Sequence, residues 1–94
     1  MAYMPVTSKE ELRVPHDVSA TAYEVELAVV LKALGEPDDD DYHVAAWDGS
    51  DAVLLIGAGS PVELAAGEYV VWTRVTAGTE RPVRRAGTLT VGTP

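Results

Sequence analysis

Apolar positions along this chain alternate with polar ones in short stretches, and Gly, Pro or Asp punctuates almost every gap between them. Period-two alternation over four to eight residues is the mark of a half-buried strand. Six strands are expected on that basis: 12–19, 23–31, 42–47, 52–56, 68–76 and 86–91. In the first, Leu12, Val14, His16 and Val18 share a parity, and Pro15 opposite them lacks the N–H that an interior strand needs, which makes it an edge strand. The second alternates Tyr23, Val25, Leu27, Val29 and Leu31 against Glu24, Glu26 and Ala28. Asp48-Gly49-Ser50-Asp51 supplies hairpin-turn chemistry between the third and fourth. One segment admits two readings. Thr21 and Glu24 have capping-box spacing, and Tyr23, Leu27, Val30, Leu31 and Leu34 recur at helical intervals before Gly35 and Pro37, so a helix over 22–34 stands beside the strand.

Leading into the fifth strand, the order Leu64, Gly67, Tyr69 just ahead of alternating apolar residues is the pattern of a tyrosine corner, in which the phenol bonds backbone a few residues upstream and locks a crossover between two sheets. The expected fold is therefore all-β: a small Ig-like antiparallel β-sandwich of six to seven strands, in a single domain over 1–94 with residues 1–10 as a docking or extended N-terminal arm. Val71 then takes the inward place two residues after the tyrosine, and Trp47 is the candidate for the core tryptophan of strand C. The chain has no cysteine, so that core holds without a disulfide.

Composition narrows the function. The 94 residues carry a formal charge of −8, which removes the electrostatic drive for binding nucleic acid or anionic lipid, and no apolar run reaches the length of a membrane span. The absence of cysteine excludes thiol catalysis and thiolate metal sites. The charge is also uneven. Residues 1–68 hold 14 acidic and 3 basic side chains, a net of −11, whereas 69–94 hold Arg74, Arg81, Arg84 and Arg85 against Glu80, a net of +3. Self-association between the two parts is one consequence such a layout permits.

No chemical motif rises above a structural reading. Gly57-Ala58-Gly59-Ser60 lacks a third glycine for a dinucleotide fingerprint and is followed by Pro61. His16 and His43 have no partner at metal-ligand spacing, and Asp38–Asp41 reads as a solvated turn. No enzyme activity, cofactor or metal is expected. Trp72 carries more information: if Tyr69, Val71 and Val75 face inward, then Val70, Trp72 and Arg74 face outward as an aromatic and guanidinium strip suited to a protein interface, with Arg84 and Arg85 nearby for carboxylates on a partner.

The stretches from Gly67 to Val75 and from Arg81 to Val91, with the opening Ser8-Lys9-Glu10-Glu11-Leu12-Arg13-Val14-Pro15, resemble small Ig-like proteins encoded among the virion structural genes of tailed phages and prophages of actinobacteria. About half of the chain takes part. Trp47 and the loop Gly57-Ala58-Gly59 match a tryptophan and a Gly-rich loop common in those proteins, while 33–42 departs from their pattern. The resemblance implies a non-enzymatic virion component assembled in the host bacterial cytoplasm, foremost a head decoration protein docking on the major capsid protein. A head-to-tail connector, a tail component and a carbohydrate or host-surface binding module are the alternatives.

Overall fold

The computed structural model describes residues 2–93, and they form seven strands: β1 Ala2–Pro5, β2 Lys9–Pro15, β3 Glu24–Leu31, β4 Tyr42–Asp48, β5 Asp51–Gly57, β6 Gly67–Thr76 and β7 Val83–Gly92. The hydrogen-bonded order is β1-β7-β6-β3-β4-β5-β2, one continuous sheet folded over on itself. β4 makes the fold-over. Its first half pairs with β3, and Ala46, Trp47 and Asp48 pair with β5. One layer is thus β3-β6-β7 and the other β4-β5-β2, the C-F-G and D-E-B arrangement of an Ig-like sandwich. All pairs are antiparallel except β1 with β7, which run parallel from Ala2–Leu89 to Pro5–Gly92. The sheet is therefore mixed where a purely antiparallel one was expected.

The segment 22–34 is strand: β3 covers 24–31, and only Lys32–Leu34 turns into a short 3-10 helix. Val25, Val29 and Val30 suit a pleated surface better than a helical one. Three expectations need correction. Residues 2–5 of the supposed N-terminal arm are an integral strand whose Met4 is fully buried. β2 stops at Pro15, and Val18 lies exposed on a 3-10 turn, Val18–Ala22, instead of continuing the strand. Trp47 sits on β4, the strand that departs for the second layer, and not on the strand beside β6 that carries the C position.

Two local devices hold the frame. The Tyr69 hydroxyl donates to the carbonyl of Ala65 at 2.7 Å, and Leu64 packs against the core beneath it, so the tyrosine corner forms as its spacing implied. Gly67 gives it room: a Cβ there would lie 3.1 Å from the Leu31 side chain and 3.6 Å from the Tyr69 ring. At the other glycine the geometry demands, Gly57 has φ of 102° and a Cβ would come within 2.2 Å of the Ser8 carbonyl oxygen, which accepts from Ala58 N–H. The Gly57–Ser60 loop satisfies its own backbone. Gly57 N–H donates to Val62, Ser60 N–H to Gly57, and the Ser60 hydroxyl also to Gly57, so it is a tight turn with its donors turned inward.

The core between the layers consists of Val25, Leu27, Val29, Tyr69, Val71, Leu89, Val91 and Met4 from one side and Val14, Ala52 and Ile56 from the other. Replacing Tyr69 by Phe keeps the ring in that core and strands the Ala65 carbonyl. Chemical denaturation of Tyr69→Phe should show a loss of about 1 kcal/mol, and an unchanged midpoint would mean that the corner bond contributes nothing.

Candidate functional site

Strand parity puts Val70, Trp72 and Arg74 on the outer face of β6, next to Val30, Ala28 and Glu26 of β3. The strip is not available for docking. Val70 is 3 % exposed, Arg74 6 %, and Trp72 is half-buried with its indole nitrogen shut off from solvent. The expectation of an exposed aromatic and guanidinium strip is thereby corrected, and the reason is a cluster centred on Arg74. Its Nε and Nη2 reach Oε1 of Glu26, each at 3.0 Å, its Nη1 donates to Oδ1 of Asp39 at 2.7 Å, and the guanidinium lies 4.0 Å above the centre of the Tyr42 ring.

The register explains how these groups meet. Ala28 is the cross-strand neighbour of both Tyr42 on β4 and Trp72 on β6, and its methyl group is small enough to let Arg74 lean across to the Tyr42 face. Asp39 comes from the aspartate run, which forms a 3-10 turn, Asp39–Asp41, held by a capping box between Asp38 and Asp41. So the run read as a free solvated turn lends one carboxylate to a buried cation. Burial works against the Arg74 charge, and its hydrogen bonds to Asp39 and Glu26, with their charges, more than offset it, so its pKa stands above the ordinary value. For Tyr42, burial pushes the phenol pKa up although Arg74 pulls it down. Its hydroxyl and the Trp72 indole N–H are both buried without a hydrogen-bond partner among the described residues.

His16, expected as a satisfied edge or core histidine, closes the end of the sandwich. Its Nδ1 donates to the Val14 carbonyl at 2.9 Å, which leaves Nε2 to accept from the Thr73 hydroxyl at 2.8 Å. The ring also meets Trp47 edge-on, with centroids 5.2 Å apart, and the Trp47 indole N–H donates to the Tyr23 carbonyl. These contacts brace β2 and β4 against β6. Among the described residues no group of three His, Asp or Glu side chains is placed to hold a metal ion.

What the structure leaves open lies along the line where the folded sheet fails to close, between β2 and β7. β1 pairs with β7 only over Leu89–Gly92, so Val83–Thr88 keeps a free edge among the described residues. Crevices along this line share Val14, Pro15 and Ala86 at one end and His16, Asp17, Thr73 and Arg84 at the other, making one groove floored by Val71, Thr73 and Val75 of β6. Arg84 pairs with Thr73 in register and Arg85 with Trp72, so the two arginines flank the β7 edge on its inner and outer faces. Both are exposed and neither meets a carboxylate among the described residues, in contrast to Arg13, which contacts Glu11, Asp48 and Asp51. No protein-family model matches the chain, and no curated protein is similar enough to count as a relative.

Of the residues singled out from sequence, Tyr69, Gly67, Leu64 and Val71 hold structural places, Trp47 packs against the core from a different strand, and Arg84 and Arg85 alone are free to meet a partner. The groove between β2 and β7 had one sequence signal, Pro15 as an edge marker.

The Arg74 cluster yields two expectations. Arg74→Ala abandons Glu26 in a nearly closed site, and denaturant titration should show a loss of about 3 kcal/mol or more; a loss below about 1 kcal/mol would show that Glu26 is hydrated there. Tyr42→Phe removes a buried hydroxyl that has no partner, so its stability at pH 7 should equal or exceed that of the parent. The Tyr42 phenol is protonated more tightly in the folded chain than at its ordinary value of 10.0, so its contribution is intact below that pH and is lost as pH rises above it. The alkaline decline in stability should accordingly be shallower in Tyr42→Phe.

Proposed function

We propose that this chain is a non-enzymatic structural protein that docks on a larger assembly through the basic edge of β7, and that the assembly is a phage virion, with the chain decorating the head on its major capsid protein. The observation that carries the docking reading is the pair Arg84 and Arg85: in an acidic chain whose other strand-borne arginines are ion-paired, these two stand exposed, without a carboxylate among the described residues, on a strand edge that is free among them. Two guanidinium groups without intramolecular carboxylates favour carboxylates on another molecule. The virion part follows from the likeness of the β6 and β7 segments to small Ig-like phage proteins, and those segments form the strand pair that carries the arginines.

A carbohydrate-binding module would need an exposed aromatic platform; Trp72 is half-buried, and Arg74 already stacks on the Tyr42 ring, which disfavours either as one. The net charge of −11 over residues 1–68 makes self-association a competing use of the same arginines.

Mass spectrometry of purified particles should find the chain in stoichiometric amounts. In a sedimentation assay with particles stripped of it, the double variant Arg84→Glu/Arg85→Glu should lose at least tenfold in occupancy while its melting temperature stays within a degree or two of the parent. Undiminished occupancy would place the docking surface elsewhere, and absence of the chain from particles would remove the virion reading.

A further inference from the structure

The groove between β2 and β7 has the shape of a missing strand. Its walls are two strand edges, its floor is the inner face of β6, and over Val83–Thr88 it offers six residues, about 20 Å of unpaired backbone at roughly 3.4 Å per residue. β2 is the poorer of the two edges. His16 N–H donates to Ser50 in the ladder with β5, so ladder alternation turns the backbone of Pro15 toward the groove, where it has no donor to give. On the other wall Val75 N–H donates to the Pro82 carbonyl, and the same alternation turns the backbone groups of Val83 and Arg85 away from β6 and into the groove. A bulge between Val71 and Trp72 sets Ala86 out of register at mid-groove, as bulges do where pairing on an edge is being managed.

We infer that this groove is a strand-addition site: an acidic, extended segment of another protein pairs with the free edge of β7 and completes the sandwich. The charge pattern selects the occupant. Of the basic residues along the groove, Arg13 is already neutralised, while Arg84 and Arg85 wait on the two faces of the edge, and Asp17 is the sole acid lining it among the described residues. Backbone pairing supplies affinity, Val71 and Val75 receive inward apolar side chains, an inward acid between them reaches Arg84, and an outward acid reaches Arg85. The inference rests on the docking reading above and names the chemistry of its partner.

A random nonapeptide library selected against the intact chain tests it. The expected winners are extended sequences with alternating apolar residues and at least two acids. A synthetic winner, titrated into isotope-labelled protein, should shift the amide resonances of Val83 and Arg85 more than those of β3, and Arg84→Glu/Arg85→Glu should weaken its binding at least tenfold. Failure to enrich any peptide, a basic consensus, or shifts centred away from β7 would overturn strand addition. So would a dimer of the chain itself that blocks the peptide and dissociates in the double variant, because the occupant would then be a second copy. Particle binding that survives while no peptide binds would leave docking standing without strand addition. Peptide binding by a chain absent from particles would do the reverse.

Discussion

A buried guanidinium decides which surfaces of this protein are surfaces at all. Arg74 sits at the middle of the outer face of β3 and β6, and without its two carboxylates and the Tyr42 ring that face would be wet. With them part of it becomes a second packed layer, and along the same face Ala28, Val30 and Val70 are also buried on the side away from the sandwich core. The central strands are thus covered on both faces in a protein of only 94 residues. A cation in such a place is held by geometry more than by Coulomb attraction, since desolvation cancels much of the gain. Its structural effect is to tie the 39–41 turn down onto the sheet, on the face where the Trp72 indole nitrogen is shut off from solvent.

Much of the frame could be read along the chain. Strand alternation and the Leu64, Gly67, Tyr69 spacing are local signals, and the corner hydrogen bond spans only four residues. The outer face was illegible for the opposite reason. Arg74 meets Glu26 across 48 residues and Asp39 across 35, so neither partner announces itself at short range. The clue that existed was the unbroken apolar run Ala28-Val29-Val30-Leu31, since a strand buried on both sides stops alternating. β1 escaped because four residues ending in proline are too few to show a period, and it owes its place to the parallel ladder with β7. Trp47 was legible as a core residue but not as a residue of β4, because the strand that switches layers has no signature of its own.

Parallel pairing confines β1 to Leu89–Gly92, so among the described residues no strand covers the edge of β7 from Val83 to Thr88. On the opposite wall Pro15 blunts β2. A free edge invites unwanted pairing unless it is guarded. Arg84 and Arg85 guard it against basic strands, and under the docking proposed above they would meet an acidic one. The closed face and the open edge differ in this respect: the Arg74 cluster neutralises the one cation of β6, and the cations of β7 meet no carboxylate among the described residues.

Site-resolved hydrogen exchange of the free protein by NMR tests this division of the surface most directly. The account predicts that the Trp72 indole proton exchanges slowly, although it makes no hydrogen bond, because the Arg74 cluster shuts out water. It predicts that the amides of Val83 and Arg85 exchange close to the rates of an unprotected chain while their neighbours Arg74 and Thr73 on β6 are retained. A fast indole proton at Trp72 together with protected amides at Val83 and Arg85 would contradict it, placing the open surface on the face described here as sealed.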